Sequence, residues 1–237
     1  MDTYARMPTD WIRDQSNLLL HSFSWKGKDK AGCIAALMLY IAMNQNVPEK
    51  KGAHVKLTYT ELSDITSLSR AKVAEGLKLL EETGLVKIEK QGRSNSYHIV
   101  NRDNRNGWGQ LPAKSLYDDG QIKPFLQFNL RTRAELSALK LYLLIIAFRS
   151  NKMNCTIISY EKIYLYTGIS ERHISAGLSL LITLDMIRVD KKLRDKATEK
   201  RMNVYWLVGL NHHHGGNTPE EAFDNFGDTS PLAQVDL

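Results

Sequence analysis

The side chains of this 237-residue chain that are placed to do chemistry are cations, not nucleophiles. Two stretches set them at the head of a helical apolar pattern. Ser69-Arg70-Ala71-Lys72 precedes Val73, Leu77 and Leu80, with Lys78 further along. Ser170-Glu171-Arg172-His173 precedes Ile174, Leu178 and Leu181, with Ser175 and Ser179 between. A guanidinium or ammonium donates hydrogen bonds and accepts none, so its partners are carboxylates, phosphates and the acceptor edges of bases. Two further groups lie in turn-forming stretches: Lys90 and Arg93 around Gln91-Gly92, and Lys191, Lys192, Arg194, Lys196, Lys200 and Arg201. The parts needed for covalent or metal chemistry are missing from the sequence. It has no Gly-x-x-x-x-Gly-Lys loop, no His-Glu-x-x-His, no Cys-x-x-Cys and no Gly-x-Ser-x-Gly elbow. Three consecutive histidines, His212 to His214, do not converge on one ion with helical spacing, and no Cys or carboxylate cluster joins them. The expectation is a binding protein with no metal and no cofactor.

Charge supports the choice of partner. Lys plus Arg is 32 and Asp plus Glu is 26, a net of +6. Residues 211–237 hold five acids (Glu220, Glu221, Asp224, Asp228, Asp236) and no Lys or Arg, so residues 1–210 carry +11. A folded body with that excess favours a polyanion, nucleic acid ahead of a membrane surface. Cys33 and Cys155 stand far apart in apolar surroundings and read as small core residues of a reducing compartment. The longest apolar run, residues 31–43, suits a buried helix and is too short to span a bilayer. Early acids (Asp2, Asp10, Asp14) and the lack of a long apolar stretch near them lead us to expect no secretory leader and a cytoplasmic protein.

The elements that must position these cations occur twice. At an offset of 101, residues 55–88 fall without a gap on residues 156–189. Tyr59 meets Tyr160, Thr66 meets Thr167, Ser69 meets Ser170 and Gly76 meets Gly177. Leu77, Leu79 and Leu80 meet Leu178, Leu180 and Leu181, while Leu85-Val86-Lys87-Ile88 meets Met186-Ile187-Arg188-Val189. Chance matches a few leucines, not caps, glycine and apolar spacing in one register. Each copy predicts a long apolar helix (31–44; 134–149), a short strand (55–57; 156–158) and a short helix. Thr58 with Glu61 forms a capping box for the first short helix, and Ser159 with Glu161 a looser one. A tight connection then leads to Ser69 or Ser170 as N-cap of a third helix ending near Gly84 or Asp185. A hairpin closes each copy: 86–90 with 97–100, and 187–191 with 203–208.

In this order, with Ser69-Arg-Ala-Lys-Val-Ala-Glu-Gly-Leu-Lys-Leu-Leu at its centre, the chain resembles the winged helix–turn–helix family, and Ser170-Glu-Arg-His-Ile-Ser-Ala-Gly-Leu-Ser-Leu-Leu is similar. The fold class that follows is α+β, mainly α, with two winged-helix domains in tandem at 31–101 and 125–210. Residues 1–30 form a packing segment, 102–124 a linker that sets the angle between domains, and 211–237 an acidic disordered tail. The resemblance implies a recognition helix in the major groove. Its front is Arg70, Ala71, Lys72, Glu75 and Lys78 in the first copy, and Glu171, Arg172, His173, Ser175 and Ser179 in the second. The cationic hairpins, with Lys90 and Arg93 in one and Arg194, Lys196, Lys200 and Arg201 in the other, would grip phosphates or a narrow minor groove. Ser69, as N-cap, completes the expected contact set.

Two such units in one chain resemble the iteron-binding replication initiators of plasmids and some phages, and the β-prone lead-in Phe125-Leu-Gln-Phe-Asn-Leu130 is similar to the start of their second domain. That resemblance implies double-stranded DNA as partner, with host replication proteins joining at an origin. The end of the tail, Gln234-Val-Asp-Leu237, resembles the peptide by which bacterial replication proteins bind the sliding clamp, without its closing aromatic. The histidine run lacks the central hydrophobic residue of DNA-nicking initiators, so cleavage is not expected. If only one copy binds DNA, the other is free to form a homodimer. Two rival readings remain at this point: a transcriptional regulator with the same DNA contacts, and a tandem winged-helix assembly protein that binds protein partners.

Overall fold

A computed structural model of the chain describes residues 3–27, 29–48, 52–91, 94–103, 107–151, 153–194 and 201–210. It opens with β1 (Tyr4–Pro8), α1 (Asp10–Arg13) and a 3-10 turn at Leu19–Ser22. The first copy follows: α2 (Lys30–Asn46), β2 (His54–Leu57), α3 (Tyr59–Thr66), α4 (Arg70–Glu82), β3 (Val86–Gln91) and β4 (Ser94–Ile99). Between the copies lie β5 (Trp108–Pro112), β6 (Tyr117–Asp118) and β7 (Gln121–Ile122). The second copy is α5 (Arg133–Ala147), β8 (Thr156–Ile158), α6 (Tyr160–Thr167), α7 (Glu171–Thr183), β9 (Ile187–Arg194) and β10 (Arg201–Leu207).

The duplication seen in the sequence is a duplication of topology. Each copy has one three-stranded antiparallel sheet, ordered β2-β4-β3 and β8-β10-β9, in which the strand ahead of the short helix joins the outer side of the hairpin. Each copy thus sets three helices against a three-stranded antiparallel sheet, within an α+β fold. Local sequence explains the turns. Thr58 and Glu61 form the reciprocal capping box at α3, and Ser159 Oγ accepts from Lys162 N at 3.2 Å without a box. The short and third helices are joined through Ser67 and Gly168, both left-handed, with φ of 59° and 66°. Glycine enters that conformation without strain, which makes position 168 the more relaxed of the two. Ser69 caps α4 by accepting from Lys72 N at 3.3 Å, whereas Ser170 makes no side-chain cap. The expected cap at Ser170 is therefore absent; its carbonyl instead accepts from His173 N at 2.8 Å, a tightened first turn.

Helices α2 and α5 are apolar on almost every side, buried from Gly32 to Gln45 and from Glu135 to Ala147. Such helices belong inside a protein, and these two pack on each other as well as on α4 and α7. One hydrophobic cluster consequently runs through both copies. No helix among the described residues is long and apolar enough to cross a membrane. Cys33 and Cys155 are buried free thiols, and burial pushes the Cys155 thiol up to about 11.

The segments outside the repeats differ from the sequence expectation. The first thirty residues were expected to pack on the first domain or on a second subunit; they straddle both copies. Trp11 Nε1 donates to Tyr40 OH on α2 at 3.0 Å, while Arg13 Nε donates to the Ala147 carbonyl at the end of α5 at 2.7 Å. Gln15 Nε2 reaches Tyr166 OH on α6 at 2.8 Å, and Lys140 Nζ on α5 donates to the Phe23 carbonyl at 3.1 Å. The expected linker is an ordered part of the same body: β5 pairs antiparallel with β1, from Tyr4 opposite Pro112 to Pro8 opposite Trp108. The β6–β7 hairpin turns on Asp119 and Gly120, both at positive φ. The lead-in 125–130 is not a strand. Pro124 starts a 3-10 turn at Lys123–Gln127, which buries Phe125 and Phe128 in an edge-to-face pair 5.7 Å apart. Proline fixes φ and removes a ladder donor, so the turn prevails over the apolar alternation.

Candidate nucleic-acid interface

Helix α4 has an apolar back and a polar front. Val73, Gly76, Leu77 and Leu80 are buried, while Arg70, Ala71, Ala74 and Lys78 are exposed. Lys72 is partly exposed and forms an ion pair with Glu75 one turn on. Lys78 Nζ lies 3.7 Å from Glu82 Oε1. Exposed pairs of this kind are worth well under about 1 kcal/mol and exchange readily for a phosphate. Arg70 is the front cation with no carboxylate partner among the described residues, and it sits where the positive end of the helix macrodipole adds to its charge.

Helix α7 repeats the design with different charges. Ile174, Gly177, Leu178 and Leu181 are buried; Glu171, Arg172, Ser175 and Ser179 are exposed. His173 is partly exposed and Arg133 Nη1 lies 2.6 Å from its Nε2. A guanidinium has no acceptor, so Nε2 accepts the bond and carries no proton in this arrangement. Desolvation, then the positive charges of Arg133 and Arg172, hold the imidazole below its usual range. Among the described residues neither arginine forms an ion pair. Sequence reasoning had placed Arg172 and His173 at this helix head but missed Arg133, which reaches it from the start of α5.

The sheets add cations beside the helices. On the first, Lys87, His98 and His54 lie opposite one another across β3, β4 and β2, with Lys56, Ser96 and Glu89 in the next row. Lys56, Lys87 and, in the second copy, Arg188 are exposed and were not among the expected contacts. The offset of 101 that aligns Lys87 with Arg188 is the signal that would have found two of them. Of the expected hairpin cations, Lys90 lies in β3 opposite Asn95, and Arg194 in β9 directly opposite Arg201 in β10. Arg93, Lys196 and Lys200, together with the histidine run and the acidic tail, lie outside the described residues.

No family model matches the chain, and no curated protein matches it. Among solved structures the chain is similar to one described as the crystal structure of Pi initiator protein in complex with iteron DNA. The identity is 11%, the TM-score 0.47, and the likeness covers 88% of this chain and 98% of that one.

Proposed function

We propose that this chain is a sequence-preferring double-stranded DNA-binding protein of the replication-initiator kind, acting by binding and not by catalysis. One observation carries the reading. Both third helices are sealed into the core on one face and hold an exposed arginine, Arg70 or Arg172, at the head of the other, with no carboxylate partner for either among the described residues. The +11 of residues 1–210 supports it. The shared core of the two copies favours initiation over regulation at isolated sites: two reading heads at a fixed separation suit repeated sequence along one duplex. The assembly reading draws support from Tyr164 and Leu165, 59% and 45% exposed on α6.

Salt dependence separates these readings. If about five to eight phosphates are neutralised, the logarithm of duplex affinity falls against log salt with a slope of about −4 to −7. A nearly flat dependence overturns the DNA reading in favour of a protein partner. Arg70→Ala is expected to lower specific binding more than random-sequence binding, Lys196→Ala to lower both alike, and Lys72→Ala to fall between because Glu75 already holds it. Genomic footprints clustered as repeats at an origin are the expected outcome; single sites at promoters would assign the protein to regulation.

A further inference from the structure

The second copy contains a contact that a free protein has little reason to keep. Arg133 and His173 meet from the first turns of α5 and α7 within hydrogen-bond distance, and the exposed Arg172 precedes His173 on α7 with its charge acting on the imidazole; all three are basic groups. The other charged groups around the imidazole do not balance them. Glu171 and Arg131 are exposed beside the two helix starts. Glu135, although on α5, is buried and committed to the amides of Asn129, Leu130, Arg131 and Thr132 and to the Thr132 hydroxyl. Helix α6 carries Glu161 and Lys162, and β9 contributes Arg188 and Asp190.

We infer that Arg133, Arg172 and His173 form the seat for one backbone phosphate of the duplex, and that filling it takes up a proton on His173. The step balances simply. In the free protein Arg133 Nη1–H donates to the lone pair of His173 Nε2. A proton from solvent adds to that lone pair, the Arg133–His173 bond is lost, and both N–H groups turn to donate to the two non-bridging oxygens of the diester. The phosphate brings one negative charge and no proton of its own, so the proton must come from water. The low basicity of the imidazole in the free protein agrees with this exchange, since its neighbours oppose its charge until an anion arrives.

This inference rests on the DNA reading and separates from it in the test. The affinity of the full chain for a mixed-sequence duplex is measured at constant ionic strength between about pH 7.5 and about pH 5.5, where histidine titrates. Binding is expected to tighten several-fold, up to about tenfold if the bound imidazole gains one pKa unit. His173→Gln removes that gain, and Arg133→Gln weakens binding while returning the imidazole of the free protein toward its ordinary titration, read by NMR. Duplex binding that does not change with pH, or a pH gain that survives in His173→Gln, overturns the inference and leaves the DNA reading standing. No duplex binding at any pH overturns both. If inorganic phosphate raises the His173 titration while duplex binding stays flat with pH, the seat serves a free anion and the inference fails.

Discussion

Replacing Gly76 by alanine tests the close approach that sets the height of the first reading head. A Cβ there would stand 2.7 Å from Leu39 Cδ1, 2.9 Å from the Ala35 carbonyl carbon and 2.9 Å from the Ala36 nitrogen. Leu39 has rotamers to spare, but the Ala35–Ala36 backbone belongs to α2, which is buried on all sides and has nowhere to go. Alanine gains about 0.8–1 kcal/mol over glycine inside a helix. Overpacking costs about 1–3 kcal/mol, and the upper half of that range applies where the obstacle is backbone. The net expectation is a loss of roughly 1–2 kcal/mol, which lowers Tm by about 2–8 °C in a protein of this size. Gly177→Ala is expected to lose somewhat less, because its Cβ would meet Leu141 Cδ1 at 2.8 Å and the Ser137 and Ala138 backbone at 3.0 Å. Ser175→Ala, at an exposed position of α7, serves as the control and is expected to stay within about 0.5 kcal/mol of the parent. Thermal unfolding followed by circular dichroism reads all three. A Gly76→Ala protein as stable as its parent would refute the argument, since the helix propensity gain would then have met no obstacle.

Two predictions concern buried charge on α5. Burial opposes ionisation of Glu135, but its hydrogen bonds from Thr132, Asn129 and Arg131 outweigh burial and hold the carboxyl below its usual range. That stabilisation is present above the ordinary value of 4.5 and is lost as pH falls through the lowered one. Glu135→Gln is therefore expected to cost roughly 1.5–3 kcal/mol at neutral pH in denaturant melts, with the difference shrinking in acid; a constant difference would refute the cause. Burial pushes Lys140 from 10.5 down to about 8, equivalent to about 3 kcal/mol against the ammonium. Lys140→Met is expected to stabilise the protein by roughly 1–2 kcal/mol at neutral pH, after the lost bond to Phe23 is set against it. Because the folded value lies below the unfolded one, parental stability rises between about pH 8 and 10.5 and the advantage of Met disappears there; an advantage unchanged at high pH would refute it.

The parts of the fold that sequence conveyed are those written locally and twice. Apolar spacing located α4 and α7, Thr58 with Glu61 located the start of α3, and Gly84 and Asp185 marked where the third helices end, both at positive φ. What it did not convey depends on pairing across distance. Nothing in Tyr4–Pro8 names Trp108–Pro112 as its partner, because an isolated two-stranded pair is specified by the surfaces it covers rather than by its own pattern. The lead-in to α5 departs from a strand for a different reason. Thr132 and Glu135 form a capping box, but the alternation of Leu126, Phe128 and Leu130 favours a strand that the 3-10 turn begun at Pro124 replaces. The observed helix start lies one residue from the expected 134, but nothing local to it brings Arg133 to His173, forty residues along.

The same scaffold has distributed its charge in two ways, and the physical consequences differ. In the first copy the helix cations are leashed to their own helix: Lys72 to Glu75 and Lys78 to Glu82, leaving Arg70 as the cation without such a partner. Meeting a phosphate there means exchanging one weak ion pair for another, so the net electrostatic gain is small and discrimination falls to the geometry of the helix head. In the second copy two basic groups are crowded against each other, Arg133 on His173. That crowding is a cost carried by the free protein and relieved by an anion. On the proposed function, the second copy contributes more of the salt- and pH-dependent grip on phosphates, while both third helices remain available to read bases. Under that reading a duplicated fold held by one core gains from the asymmetry, since a grip that tolerates any sequence keeps both reading heads in place while they sample the groove.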